Sequence, residues 1–112
     1  GAEAVPYPLA PDTIRLDADA LHEVLERTPS ARLEFLTLPS NPTGGGADAE
    51  VVERVASACS ERGILVVSDE VYRELHHGAP VPSLRDVSGG GWVVQSMSKG
   101  FSAPGLRIGW IE

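Results

Sequence analysis

Lys99 stands in the stretch SMSKGFSAPGLRIGW, with Ser96 and Ser98 before it and Arg107 eight residues after it. A solvated lysine needs no such setting. A lysine amine can form a Schiff base with a carbonyl cofactor. Asp69 lies in SDEVY and is followed three residues later by Tyr72. Alone, Asp69 fits a helix N-cap equally well. It also fits a partner for a pyridine nitrogen, keeping that nitrogen protonated so that the ring takes up electrons. Hydroxyls such as Ser96 and an arginine fork such as Arg107 suit a phosphate. Asn41, in LPSNPTG, adds a neutral polar group.

These residues need elements to hold them. Four apolar runs read as strands: Leu33–Leu38, Ile64–Ser68, Trp92–Ser96 and Leu106–Ile111. The second and third are valine-rich with little alternation, as in parallel strands covered on both faces. Helical periodicity runs over Asp17–Arg27, where Leu21, Val24 and Leu25 share a face, and over Asp48–Arg62. Asp48 suits the N-cap of the second helix and Gly63 its stop. Strand, helix and strand with short links make a βαβ unit with a right-handed crossover. The glycine runs Gly44–Gly46 and Gly89–Gly91 are turn material and lack P-loop spacing. The opening GAEAVPYPL reads as an edge strand interrupted by Pro6 and Pro8.

In such a sheet, ligands gather beyond the carboxyl ends of the strands. Asn41, Asp69 with Tyr72, and Ser96, Ser98 and Lys99 each follow a different strand. Such alignment on one rim is hard to get by chance, and Lys99, Asp69, Ser96 and Arg107 together match the needs of pyridoxal 5'-phosphate.

The motifs NPTG, SDEVY and SMSKGFSAPGLRIGW, in this order and spacing, resemble those of the fold-type-I pyridoxal-phosphate enzymes, specifically the class I/II aminotransferases. The resemblance covers essentially the whole chain. It implies an α/β fold: a partial three-layer large-domain core of mostly parallel strands with helices on both faces and an antiparallel last strand. It implies the cofactor lysine at Lys99, the pyridinium partner at Asp69, and donors to the phenolic oxygen at Tyr72 and Asn41, with Asn41 also orienting substrate. Ser96, Arg107 and, more weakly, Ser98 match phosphate ligands. Pro42 matches a proline often preceded by a cis bond. The implied reaction moves an amino group between an amino acid and a 2-oxo acid. A pyridoxal-phosphate lyase or cyclase, or an aminotransferase-like sensor domain of a transcription regulator, shares the same core motifs. The resemblance also implies a homodimer in the complete enzyme. Residues 1–112 read as a fragment of the cofactor-binding large domain, without the upstream phosphate loop and the C-terminal small domain. By itself such a chain is expected to be inactive and prone to self-association.

The formal net charge of −7 argues against nucleic acid or an anionic membrane as the main partner. The single cysteine, Cys59, rules out an intrachain disulfide and reads as a core residue, which fits a reducing cytoplasm. No apolar run is long enough to cross a bilayer. His22, His76 and His77 do not complete a metal site by spacing. Trp92 and Trp110 read as packing residues at strand ends.

Overall fold

The computed structural model describes residues 1–87 and 89–112. Its α-helices are α1, Ala18–Arg27, and α2, Ala49–Glu61. Its strands are β1, Leu33–Thr37, β2, Leu65–Asp69, β3, Trp92–Ser96, and β4, Gly109–Ile111. They form one sheet in the order β1-β2-β3-β4. The β1–β2 and β2–β3 pairs are parallel and β3–β4 is antiparallel. This is the mixed α/β sheet with an antiparallel last strand that the sequence predicts.

Local signals explain where the helices begin and end. The Asp17 carboxylate accepts the Asp19 and Ala20 N–H groups at 3.0 and 3.1 Å, satisfying two free donors of α1. Asp48 occupies the N-cap of α2 but makes no side-chain cap. Its Oδ1 instead accepts from Arg15 at 2.8 Å, since a guanidinium competes well for a carboxylate. Gly63, with φ of 66°, stops α2 in a conformation that costs glycine little.

The core lies between the helices and one face of the sheet. Leu21 and Leu25 of α1 join Val52, Val55, Ala56 and Cys59 of α2 over Leu36, Val66 and Val93. Cys59 is fully buried, as expected, and burial pushes its thiol up to about 11. Arg54–Asp19 and Arg62–Glu26 pair across the two helices at the surface. Such exposed pairs contribute little beside apolar burial.

Strand alternation sends the remaining side chains to the other face. There Leu33, Phe35, Trp92 and Ile111 are 54%, 58%, 53% and 64% exposed. Of the two helical layers that the sequence predicts, the described residues supply one, because both apolar helix faces share the same core. Among the described residues Trp92 thus has half of its surface uncovered. Trp110 packs against Phe101, with ring centroids 6.3 Å apart.

Beyond shifts of one residue at β1 and β2, the structure departs from the sequence reading at two places. The opening residues 1–10 form no strand. Pro6 and Pro8 remove ladder donors, and the segment is anchored by a side chain: the Tyr7 hydroxyl donates to Glu34 Oε1 at 2.7 Å. The predicted strand from Leu106 starts only at Gly109, because Pro104–Leu106 form a 3-10 turn and Arg107 takes a left-handed φ of 53°. That turn is incompatible with extended pairing.

Candidate functional site

Three strand ends meet on one rim. Thr37 lies in register with Asp69, and Asp69 with Val94. Beyond the strands, Leu38 N–H donates to Asp69 O and Glu70 N–H to Val94 O, each at 2.9 Å. The loops carrying Asn41, Asp69 with Tyr72, and Lys99 thus leave the sheet at the same end.

Tyr72 is the meeting point. Its hydroxyl accepts a hydrogen bond from Asn41 Nδ2 at 3.4 Å. The Lys99 Nζ lies 5.3 Å from the centroid of its ring, within range of an attraction between a cation and an aromatic face. Residues far apart in sequence are therefore gathered around one phenol. Asp69 does not act as a helix N-cap: the 3-10 turn Arg73–Leu75 begins after Tyr72. Instead Asp69 Oδ1 accepts the Val71 N–H at 3.1 Å, tying the carboxylate to the turn that presents Tyr72. The Asn41–Pro42 bond is cis, as the resemblance implies, and Leu38–Pro39 is cis as well.

The phosphate candidates are less fully assembled. Ser96 Oγ accepts the Ser98 N–H at 3.1 Å, leaving its hydroxyl proton free to donate. Arg107 is exposed, and its Nη1 donates to Pro104 O at 3.1 Å within its own turn. No hydrogen bond joins Arg107 to either serine among the described residues. The β3–β4 ladder nonetheless keeps them close in register, with Ser96 opposite Gly109 and Met97 N–H donating to Ile108 O at 3.0 Å.

Beside the rim opens a cleft of about 940 Å³, bordered by Asn41 and Tyr72 and extending to Arg15, His76 and His77. His76 Nδ1 lies 3.0 Å from Arg73 O and is occupied locally. Among the described residues, no group of three or more His, Cys, Asp or Glu is placed to hold a metal ion.

The sequence reading passes over Glu70, which is fully buried directly beneath this rim. The signal was present: two adjacent acids at the end of an apolar strand cannot both face the same side.

Comparison with known proteins fits this geometry. The family model described as aminotransferase class I and II matches residues 1–112. A valine–pyruvate aminotransferase of Mycobacterium tuberculosis is 35% identical over 99% of this chain and 29% of its own length. A threonine-phosphate decarboxylase of Salmonella typhimurium is 33% identical over 83% of the chain and 25% of its own length. The crystal structure of a PLP-dependent aminotransferase from Streptococcus suis superposes with a TM-score of 0.85 at 33% identity, covering 99% of this chain and 29% of that one. The chain thus spans between a quarter and a third of the length of these relatives. Since the family match extends over every residue from 1 to 112, the chain belongs to the class I and II aminotransferases.

Proposed function

We propose that the enzyme carrying this chain transfers an amino group between an amino acid and a 2-oxo acid, and that this chain supplies the central part of its cofactor site. Class I and II aminotransferases are pyridoxal-phosphate dependent. The donor set here fits that group: one amine, one carboxylate and two neutral polar groups share a rim. When bound, the cofactor supplies a carbonyl that condenses with amines and a ring that takes up the electron pair left at the substrate α-carbon.

The residues have distinct tasks in this reading. Lys99 provides the amine that holds the cofactor. When free, the same amine would act as the acid/base that takes up and returns the proton of the substrate α-carbon. Asp69 keeps the ring nitrogen protonated. Tyr72 and Asn41 hold the phenolic oxygen, and Asn41 also orients substrate. Ser96, Ser98 and Arg107 hold phosphate, Arg107 after giving up its bond to Pro104 O. By the same family resemblance, we propose that the complete enzyme is a homodimer, and from the free, buried Cys59 that it works in a reducing cytoplasm.

The observation that carries this reading is the gathering of Asn41 and Lys99 around Tyr72. Lys99 is also the only lysine among the 112 residues, so the one side-chain amine of the chain sits at this point. The test is borohydride reduction in the presence of pyridoxal phosphate, followed by peptide mapping and by an assay for 2-oxo acid formed from an amino acid. Label on Lys99 together with amino-group transfer is the expected result. Label elsewhere in the enzyme overturns the lysine assignment. Release of carbon dioxide or an eliminated group without amino transfer overturns the reaction in favour of a lyase.

A further inference from the structure

Asp69 and Glu70 are consecutive acids with opposite fates. Asp69 stays on the rim, while the Glu70 side chain is fully buried. Glu70 Oε1 accepts the Leu84 N–H at 2.9 Å. Its Oε2 has no hydrogen-bond partner among the described residues, and Arg73 Nε lies 3.8 Å away. A carboxylate buried with so loose an ion pair is poor for stability. Replacing a buried ion pair as a whole by apolar groups is often neutral or better for a core. Its presence calls for another reason.

Arg73 reaches the same neighbouring segment as Glu70. Its Nε donates to Val81 O at 2.9 Å, and its Nη2 lies 3.7 Å from Asp86. The short stretch from Glu70 to Arg73 is thereby fastened at both ends to residues 81–86. Tyr72 lies inside the fastened stretch, and Asp69 immediately precedes it. Two backbone bonds of 2.9 Å complete the fixation, from Glu70 N–H to Val94 O and from Arg73 N–H to Glu70 O. The lysine loop in turn rests on this turn. A Cβ added at Gly100 would stand 2.7 Å from Glu74 Cβ, so the residue after Lys99 must be small to seat there.

We propose that Glu70 is a positioning residue which, with Arg73, clamps the Asp69–Tyr72 turn to residues 81–86 and so sets Asp69 and Tyr72 against the cofactor. The clamp acts through these two residues and touches no reacting atom. The inference rests on the pyridoxal-phosphate reading above. It explains why a hydrogen-bond acceptor occupies a fully buried place: Glu70 captures a loop N–H that an apolar side chain cannot.

The test compares Glu70→Ala, Glu70→Gln and Arg73→Met in the cofactor-loaded enzyme that carries this chain. Four quantities are measured: kcat, KM, cofactor Kd by fluorescence titration, and the pH midpoint of the bound cofactor's absorbance. In Glu70→Ala, kcat is expected to fall by on the order of tenfold or more, since small misplacements of reacting groups are costly. KM and cofactor Kd should stay near their original values, and the pH midpoint should move as Asp69 loses its place. Glu70→Gln should restore both kcat and midpoint, because the amide oxygen still accepts the Leu84 N–H. Arg73→Met should change both in the same direction as Glu70→Ala, and it decides the matter should Glu70→Ala fail to fold. A folded, loaded Glu70→Ala enzyme with unchanged kcat and midpoint overturns the proposal, as does an unchanged Arg73→Met enzyme where Glu70→Ala does not fold. If the unmodified enzyme binds no pyridoxal phosphate, the functional reading itself falls, and this inference with it.

Discussion

Replacing Tyr7 by Phe removes one oxygen from the contact that pins the opening segment to the sheet. The hydroxyl donates to Glu34 Oε1 at 2.7 Å. Glu34 is 8% exposed and points into the helix-covered side of β1. Burial, followed by the nearby Glu34 charge, pushes the Tyr7 phenol far above its ordinary range, so it remains a donor at any working pH. Burial raises the Glu34 carboxyl, and the Tyr7 hydrogen bond partly pulls it back down. Two groups, one on α2 and one at its C-cap, complete the surroundings. The Cys59 thiol, at about 11, is neutral near pH 7, and Arg62 supplies positive charge beyond it. Tyr7→Phe leaves a buried carboxylate oxygen without its donor, a loss of about 1–3 kcal/mol. That is a large share of a typical domain stability of roughly 5–15 kcal/mol.

The pH dependence has a definite sign. A carboxyl raised in the folded state binds more protons there than in the unfolded chain. The Glu34 contribution to stability is therefore greatest below the unfolded value of about 4.3 and falls as pH rises towards the folded value. The variant loses the bond that lowers Glu34, so its folded value rises further and the falling window extends upward. The destabilisation should be larger at pH 7 than at pH 4, where a neutral carboxyl forgoes only about 0.5–1.5 kcal/mol. Urea denaturation of the parent and variant at both pH values measures this. A variant equal in stability to its parent at pH 7, or a difference that does not grow with pH, refutes the reasoning.

Further outcomes are expected. Asp69→Asn in the complete enzyme should lower turnover by on the order of 10²-fold while changing cofactor Kd much less, since an amide cannot stabilise the pyridinium charge; steady-state kinetics alongside cofactor titration separates the two. Leu21→Ala, at a site only 1% exposed in the centre of the core, should cost about 2–5 kcal/mol in the same denaturation assay. The 112-residue chain by itself should self-associate, because the open face carries Leu33, Phe35, Trp92 and Ile111 and the sheet ends in two edge strands. Sedimentation decides this, and a monodisperse monomer at high concentration would count against it.

Much of this protein is local and therefore legible in the sequence. The valine-rich runs of β2 and β3, the Gly63 stop and the apolar stripes of α1 and α2 follow from spacings of two to four residues. Backbone geometry imposes those spacings wherever a segment lies. The placement of Asn41, Asp69 and Lys99 was equally open to reading, since parallel connectivity alone puts the residues after each strand on one rim. Tertiary structure decided what depends on distant partners. Tyr7 meets Glu34 across 27 residues, and Glu70 meets Leu84 across 14. Both helices cover the same face because their stripes share one core, leaving Phe35 and Trp92 in the open. Arg107 turns left-handed inside the run Leu106–Ile111 that reads as a strand. In each case local spacing leaves the outcome open, and the choice falls to contacts that exist only once the chain has closed.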